Sequence, residues 1–498
     1  MLFVLSMCAL WMQLAVSVDD AHCFGALQLD LPVRYLHIQL YENGVNVTES
    51  KGKLDISLQT QCRLRWEQID NFDGSYVLRI RLWSTCESII LTIKSPDGVL
   101  ICGSPLVIKK ENGSLLHAEF CDCPEMDMTE WMRIARCASH NEQLDMDLQQ
   151  WKVIDFERVL HTAMQTWASP EQRYSVAICH YQIVDNQLYR RCFGEYCGFH
   201  IFIDEMLTSI MRKMHLPNTE FIFNLGDWPL EKKRSDGVAI VSWCGSNDTM
   251  DIVMPTYELI KSVLDSMHTI SLDMHTARGG VHRPWQKKKD TAVFRGRDSS
   301  KLRLEVAMLS KKHPDLIEAG ITRYFFFNES LHTPQVKQMP FPEFFQHRYV
   351  LSIDGTVAAY RLPFLLAGDS VIFKSNSPFY EHFYSLMQSG LHYIPFDLSD
   401  LVEKIKLART QDFNKTLNAM RQLVLDHLQP VHLYCYYVRF IKEYTKKLRR
   451  VPQVVASNME HVKRNATHDD RCKCASHNRS YGDRKSNTHA NERRSVEL

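Results

Sequence analysis

The part of the sequence that decides the fold reads Thr291-Ala-Val-Phe-Arg-Gly-Arg-Asp-Ser-Ser300. Its apolar residues up to Phe294 predict a strand, and Gly296 permits a tight turn. The next residues, 301–312, carry apolar side chains at helical spacing. The stretch therefore predicts a strand, a turn and a helix in that order.

Within this unit, Arg295 and Arg297 follow the apolar strand, and Ser299 or Ser300 is in position to cap the helix. A helix N-terminus directs backbone N–H groups to the same point as the two guanidinium groups. Such an arrangement suits an anion, and a diphosphate in particular. The pattern alone leaves one alternative, an exposed loop whose arginines form surface salt bridges.

A second unit repeats this order. The residues 349–353 predict a strand, Asp354-Gly355-Thr356 a turn, and Val357-Ala358-Ala359-Tyr360-Arg361 the start of a helix. Ligands of open α/β sheets bind at the carboxyl ends of the strands. Arg361 is therefore expected to reach the same diphosphate, the alternative being that it forms an ion pair on the helix surface. Asp354 is expected to accept hydrogen bonds from a ribose or sugar.

A third apolar strand, 221–225, runs into Gly226-Asp227-Trp228-Pro229. An aspartate at a strand end, desolvated in part by Trp228, suits a general base for a hydroxyl nucleophile. By pattern alone Asp227 is equally well explained as a turn-forming residue.

These units belong to a longer alternation of strands and helices from Arg173 to Tyr444, which predicts a parallel sheet covered by helices. The earlier stretch 24–109 has short strands of alternating polarity instead, separated by turns such as Asp73-Gly74, and predicts a β-sandwich. With 498 residues the chain is long enough for two or more domains, and its net charge of +1 gives no argument for nucleic-acid binding.

The first 18 residues are apolar and end in small residues, which predicts a cleaved signal peptide, with an uncleaved anchor as the alternative. Without Cys8 of that leader, 14 of the 15 cysteines remain, an even number suited to pairing in an oxidising compartment. Seven glycosylation sequons agree with this: Asn46, Asn112, Asn247, Asn328, Asn414, Asn465 and Asn478.

The C-terminal residues are basic, poor in apolar residues and predicted to be mostly disordered. Cys472 and Cys474 in this tail lie near two histidines, and disulfide pairing is preferred over a zinc site. The terminus Ser495-Val496-Glu497-Leu498 has the form of a degenerate retrieval signal, the alternative being a tail that ends in Leu by accident.

At the three units the sequence resembles the protein O-glucosyltransferases of the Rumi and KDEL-motif-containing group, within the capsule-associated (CAP-ten-like) family. The matching motifs are distributed over nearly the whole mature chain, from a filamin-like module through residues 224–233, 251–257, 294–299 and 354–363. Two further motifs, Leu428-Gln-Pro430 and Leu433-Tyr-Cys-Tyr-Tyr437, resemble the third type of protein O-glucosyltransferase in the group more than the second.

The resemblance implies an α/β fold of GT-B type, in which two Rossmann-like halves face each other, preceded by an all-β, filamin-type immunoglobulin-like domain. It implies an inverting, metal-independent transfer of glucose from UDP-glucose to serine in folded EGF-like repeats of the Notch and fibrillin type, in the endoplasmic reticulum lumen. The implied boundaries are a signal peptide at 1–18, the filamin-like sandwich at 22–112, the GT-B domain at 121–445 and the tail at 446–498.

Carried over by motif, Asp227 is the catalytic base. The donor site comprises Arg295, Arg297, Ser299, Asp354, Gly355 and 357–361, with Asp251, Pro255 and Tyr257 on the sugar side. In a departure from the family's pattern, Cys192 and Cys197 flank a loop, and these two cysteines are expected to form a disulfide.

No metal or other cofactor is expected. The one Asp-x-Asp, Asp145-Met-Asp147, falls in a helical stretch and is interpreted as a solvated face, while arginines and helix dipoles replace a metal's charge. Expected partners are the UDP-sugar, the protein acceptor and a retrieval receptor, with no nucleic acid and no membrane span. The alternatives are transfer of xylose from UDP-xylose and a catalytically silent lumenal protein that binds clients.

Overall fold

A computed structural model describes residues 33–42, 45–101, 103–109, 118, 120–124, 126–264 and 283–464, together with Cys472 and Cys474. The strands, in chain order, are β1 (Val33–Gln39), β2 (Tyr41–Glu42), β3 (Val45–Asn46), β4 (Asp55–Thr60), β5 (Leu64–Asp70), β6 (Ser75–Leu82), β7 (Ser88–Lys94), β8 (Leu106–Lys109), β9 (Met126–Asp127), β10 (Ile178–Val184), β11 (Gln187–Phe193), β12 (Met214–His215), β13 (Thr219–Asn224), β14 (Ile240–Ser242), β15 (Gly245–Ser246), β16 (Ile252–Val253), β17 (Lys289–Arg297), β18 (Ile317–Arg323), β19 (His347–Ser352), β20 (Val371–Ser375), β21 (Phe379–Tyr380), β22 (Ile394–Phe396) and β23 (Glu460–Val462). The α-helices are α1 (Met128–Ile134), α2 (Glu142–Gln149), α3 (Phe156–Thr166), α4 (His200–Met211), α5 (Tyr257–Val263), α6 (Lys301–Lys312), α7 (Leu362–Leu366), α8 (Leu401–Ala408), α9 (Asn414–His427) and α10 (Pro430–Lys447).

The first part of the chain is strand-rich, as predicted. Two antiparallel sheets, in the orders β1-β6-β5 and β4-β7-β8, place alternate apolar residues such as Leu78 and Leu91 in one shared core. A disulfide between Cys62 and Cys86 closes one end of this region. The likeness to a filamin repeat stays a prediction.

Six strands, β10, β11, β13, β14, β16 and β23, form a sheet in the order β16-β14-β13-β10-β11-β23. Its β13, β14 and β16 run parallel, whereas β10 pairs antiparallel with both β11 and β13. Every residue of β10 is buried, and its polar side chains, His180 and Gln182, form hydrogen bonds with Glu220 of β13.

The deciding stretch lies in a second sheet of five strands, in the order β18-β17-β19-β20-β22, all parallel. Apolar side chains of β17 and α6, including Phe294 and Leu304, pack in its core. The predicted parallel sheet is confirmed here, because each strand is followed by a crossover segment that returns the chain to the same edge.

Segments of the second half return to the first. Strand β21 pairs with β15, and the Tyr380 ring covers Gly245 so closely that a Cβ there would lie 2.5 Å from it. Helix α10 packs Phe440 edge-on against Phe221 of β13 and is tied to the chain after α1 by the disulfide Cys137–Cys435. The two sheets are therefore held in one arrangement by contacts distant in sequence.

The predicted pairing of Cys192 with Cys197 is wrong. Cys192 is directly opposite Cys179 on the antiparallel strands β10 and β11, and these two form the disulfide. Cys197 lies beyond the turn with a free thiol that donates to the carbonyl oxygens of Phe193 and Gly194. Cross-strand register brings the Cβ atoms of Cys179 and Cys192 together, which the sequence distance does not indicate.

The predicted disulfide pairing of the tail is confirmed. Cys472 is bonded to Cys121 and Cys474 to Cys123, each across 351 residues. The expectation of a mostly disordered tail from 446 onward is wrong for 449–464, where β23 adds an edge strand to β11.

Several predictions fall outside the described residues, among them the leader at 1–18, the last four residues and the sequons at Asn112, Asn465 and Asn478. Of Asn46 only the backbone is described, in β3, whereas the side chains of Asn247, Asn328 and Asn414 are exposed. Over the described ranges, the helices are all too short or too polar to cross a bilayer.

Candidate active site

A cavity of about 480 Å³ lies where strand-end segments of both halves meet. Asp227 and Tyr257 border it from the first half, and Arg297, Ser299 and the segment 355–361 from the second. The structure thus brings most of the sequence-predicted residues to one place. Arg295, Asp251, Asp354 and Pro255 are not in the cavity wall.

The loop after β13 holds Asp227 by bonds on both of its sides. The Asn224 amide donates to the carbonyl oxygen of Trp228 at 2.6 Å, and its Oδ1 accepts from the N–H of Gly226 at 3.0 Å. Asp251 accepts from the N–H groups of Leu230 and Glu231 at 2.8 and 2.9 Å. These bonds fix the loop backbone before and after the carboxylate.

Asp251 therefore acts on the loop and not on the cavity. It is 1 % exposed, and its Oδ1 also accepts from the Ser242 hydroxyl at 2.5 Å. Burial raises its pKa to about 6, although three hydrogen bonds favour the ionised form. Pro255 lies nearby and offers only its carbonyl oxygen, to the Tyr437 hydroxyl at 3.3 Å.

Asp227 has an exposed carboxylate, yet the cavity walls surround it closely. Desolvation by those walls raises its pKa, whereas the Tyr257 hydroxyl, 3.5 Å from Oδ1, and the charge of Arg297 lower it. The Tyr360 hydroxyl lies 3.4 Å from the Asp227 carbonyl oxygen. Trp228, to which the sequence assigned the desolvation, is 55 % exposed and packs edge-on against Phe379.

The positive end of the cavity contains three guanidinium groups, those of Arg297, Arg303 and Arg361. Sequence reasoning missed Arg303, which lies one turn into α6. Its side chain donates to Ser299 Oγ at 2.6 Å and to the carbonyl oxygen of Ile353 at 2.8 Å, so it joins the two strand-end turns. An arginine one turn after a strand-end serine was the signal available in the sequence.

Ser300 is the N-cap residue of α6, but its side chain accepts no hydrogen bond from the helix; the hydroxyl donates instead to the Asp354 carbonyl oxygen at 2.8 Å. Gly355 of the second turn packs against this region, and a Cβ there would lie 2.5 Å from Ser299 Oγ. The close approach of the two turns therefore requires glycine at this position.

Arg361 is half-buried and lies just before α7, which begins at Leu362 and not at Val357 as predicted. Desolvation, together with the charge of Arg297, lowers its pKa, while Glu258 raises it. Its Nη1 donates to the carbonyl oxygen of Arg295 at 2.6 Å, which aligns the guanidinium beside the first strand-end turn. Asp354 accepts from the N–H of Ala359 at 2.9 Å and so shapes the segment 355–361 from outside the cavity.

The side chain of Arg295 turns toward the edge of the sheet. It bonds with the carboxylate of Glu318 at 2.8 Å and with its carbonyl oxygen at 2.8 Å. Successive residues of a regular strand point to opposite faces, so Arg295 and Arg297 would share one face. The register of β17 with β18 shifts between Gly296 and Arg297, however, and this irregularity interrupts the alternation. Of this pair, Arg297 is in the cavity wall.

Among the described residues, no group of three or more His, Cys, Asp or Glu side chains is placed to hold a metal ion. The Asp145-Met-Asp147 stretch is on α2, as predicted, but Asp147 is not on a solvated face. It is 3 % exposed, accepts from the N–H of Val253 at 2.9 Å, and burial raises its pKa to about 7. The expectation is wrong because α2 packs this face against β16.

Comparison with known proteins agrees with the resemblance seen in the motifs. Residues 132–494 match the family described as glycosyl transferase family 90. The chain is 42 % identical to protein O-glucosyltransferase 2 of Danio rerio, over 85 % of this chain and 86 % of the relative. It is 36 % identical to protein O-glucosyltransferase 3 of Homo sapiens, over the same shares of the two chains. The relatives thus include both the second and the third type of protein O-glucosyltransferase, and the comparison does not favour the third type over the second.

Proposed function

The chain belongs to glycosyl transferase family 90, and on that premise we propose that it is an inverting protein O-glucosyltransferase. The proposed donor is UDP-glucose, and the proposed acceptor is a serine of a folded EGF-like repeat. One observation carries the proposal: the carboxylate of Asp227 and three arginines border the same cavity.

In the proposed reaction, a serine hydroxyl attacks the anomeric carbon of the sugar while Asp227 takes the hydroxyl proton. The bond from that carbon to the diphosphate oxygen breaks, its electron pair leaves with UDP, and the configuration at carbon is inverted. A raised pKa suits the carboxylate for this step, since it makes Asp227 a stronger base than an aspartate with an ordinary pKa.

Negative charge develops on the leaving diphosphate, and the guanidinium groups of Arg297, Arg303 and Arg361 are positioned to stabilise it. We propose that these cations, with the N-terminus of α6, supply the charge that a divalent metal supplies in other sugar transferases. The proposed fold is GT-B, with the six-stranded and the five-stranded sheets as its two halves.

The proposed compartment is the endoplasmic reticulum lumen, with the C-terminal residues held by a retrieval receptor. Five disulfides among the described residues and exposed side chains at Asn247, Asn328 and Asn414 support an oxidising, glycosylating compartment. A filamin-type module at 22–112 is proposed to space or bind, without chemistry of its own.

The test is to incubate the purified chain with UDP-glucose or UDP-xylose and a folded EGF-like repeat, with EDTA present, and to weigh the repeat by mass spectrometry. We expect a gain of one hexose with UDP-glucose. No gain with either donor would exclude the enzyme, a pentose alone would change the donor to UDP-xylose, and loss of activity with EDTA would contradict metal independence.

The role of Asp227 is tested in the same assay with Asp227→Asn. We expect transfer to fall by at least about 10²-fold, while UDP affinity is kept, because removal of a general base affects the chemical step. The matched control is Asp236→Asn at an exposed position, which is expected to keep full activity.

A further inference from the structure

Three consecutive phenylalanines border the cavity mouth with exposed rings. Phe325, Phe326 and Phe327, here called the aromatic rim, are 53, 64 and 38 % exposed. Phe326 belongs to the cavity wall, and the other two rings extend outside it. Large exposed apolar patches are uncommon on monomeric proteins and mark binding surfaces.

A buried carboxylate fixes the rim. Oδ2 of Asp298 accepts hydrogen bonds from the backbone N–H groups of all three phenylalanines, at 2.9, 2.7 and 2.8 Å. Asp298 itself is completely buried directly after Arg297 at the end of β17. The rings are therefore exposed on a backbone that is held in place, and their exposure does not result from a frayed loop.

The segment that follows is bonded within itself as well. Glu329 accepts from both the backbone and the side chain of Gln335 at 2.9 Å, and the Tyr324 hydroxyl donates to the Thr333 carbonyl oxygen at 2.5 Å. A surface held in its binding shape before the partner arrives loses little conformational entropy on binding.

Two arginines flank the rim. The guanidinium groups of Arg297 and Arg323 lie 5.6 and 4.6 Å from the centre of the Phe325 ring. Both residues are exposed, and within the described part of the chain no carboxylate lies at salt-bridge distance from either of them. Arg297 belongs to the cavity wall, so it is the charge of Arg323 that is available to carboxylates of a partner.

From this geometry we infer that the aromatic rim, with Arg323, is the docking surface for the protein acceptor, and that it contacts an apolar face of the acceptor bordered by carboxylates. The inference rests on the proposed function, because it takes the acceptor to be a protein. A nucleobase of the donor would cover one ring, whereas a protein face covers all three and Arg323.

Continuity with the cavity decides the occupant. The rim begins at Phe326 in the cavity wall, and that wall also contains Asp227, so a protein resting on the rim presents its surface at the base. Aromatic and arginine side chains are also those that contribute most to binding at protein interfaces.

The test uses the double variant Phe325→Ser/Phe327→Ser, which leaves the cavity wall unchanged. We expect its Kd for the folded EGF-like repeat, measured by biolayer interferometry, to rise at least about tenfold. UDP affinity by calorimetry and acceptor-free hydrolysis of UDP-glucose are expected to stay within about twofold, because the donor site is intact. Trp83→Ser, at a 52 % exposed ring of the strand-rich region, is the matched control.

Charge is tested separately at Arg323. Arg323→Glu is expected to weaken binding of the repeat and Arg323→Lys to retain it, since a cation faces carboxylates of the partner. Each protein is also prepared with Asn328→Gln, because a glycan at this exposed sequon would border the rim.

The outcomes separate the two proposals. If the double variant binds the repeat as tightly as the wild type, or loses UDP affinity to the same extent, the proposed docking surface is wrong. Transfer of glucose by the wild type would in that case still support the proposed function. Rim-dependent binding without transfer by the wild type overturns the function alone. A wild-type chain that neither binds nor glucosylates the repeat overturns both.

Discussion

Asp227 combines an exposed carboxylate with a pKa raised by its surroundings, and one hydroxyl moderates that shift. Tyr257 packs among aromatic rings, with the Phe199 ring centre 4.7 Å from its own, and this fixes its hydroxyl beside Asp227. A hydrogen bond to the ionised form lowers a carboxylate's pKa. Tyr257 therefore adjusts the pH at which the base becomes active.

The first prediction concerns Tyr257→Phe. A base acts in its deprotonated form, so activity falls as the pH drops through its pKa. Removal of the hydroxyl raises the pKa of Asp227 further, and the acid limb of kcat/KM against pH should move to higher pH. Tyr174→Phe, at an exposed position, is the control. An acid limb at unchanged or lower pH would contradict the hydrogen bond.

The second prediction compares two arginines two residues apart. Arg297→Ala should weaken UDP binding roughly 10- to 100-fold, because a charge-assisted contact with the diphosphate is lost. Arg295→Ala should leave UDP affinity unchanged and lower the melting temperature, since its partner is Glu318. Calorimetric titration with UDP separates the two, and equal losses of affinity would show that Arg295 also reaches the donor.

At the scale of elements, the loop between β13 and β14 is a clamped segment. Asn224 and Ser242 connect its start to Asp251, which accepts from the backbone at its end, and the Trp243 indole donates to the carbonyl oxygen of Leu225 at 3.2 Å. The carboxylate of Asp227 thus projects from a backbone held by buried polar groups, as a preorganised base requires.

The third prediction is that Asp251→Ala lowers both stability and kcat. Two buried N–H groups and a hydroxyl lose their acceptor, at a cost of about 2–4 kcal/mol in the free energy of unfolding. The loosened loop should lower kcat with little change in UDP affinity. Asp248→Ala, whose side chain pairs with Lys232 at the surface, should change neither. Denaturant melts and steady-state kinetics measure the two effects.

At the scale of the whole molecule, the C-terminal tail is bonded to a much earlier part of the chain. The disulfides Cys121–Cys472 and Cys123–Cys474 attach the tail to the segment between the strand-rich region and α1. Arg464 adds a salt bridge with Asp122 at 2.8 Å. Contacts across about 350 residues therefore bring the C-terminal part against the junction of the two regions.

The fourth prediction follows from this closure. Cys472→Ser/Cys474→Ser should lower the free energy of unfolding by about 2–4 kcal/mol, because the unfolded chain loses two long-range crosslinks. Limited proteolysis should then release the tail, which the wild type retains under non-reducing conditions. Cys197→Ser, at a free thiol, should behave as the wild type, and a double variant as resistant as that control would contradict the role of the tail.

The sequence by itself determined the local units. Apolar runs ending in Gly-containing turns predicted β13, β17 and β19 and the position of Asp227, because strand period and turn chemistry are properties of neighbouring residues. The same residues carried the resemblance to the family, which the comparison confirmed. The oxidising compartment indicated by the leader and the sequons likewise predicted that the tail cysteines form disulfides.

Only the tertiary structure decided the direction in which individual side chains point. It directed Arg295 to Glu318 and Arg297 into the cavity, placed Asp251 under the loop, and added Arg303 to the positive end. It also paired Cys192 with Cys179 through the register of two strands. Each of these depends on packing between segments distant in the chain, and a pattern of neighbouring residues carries no information about that packing.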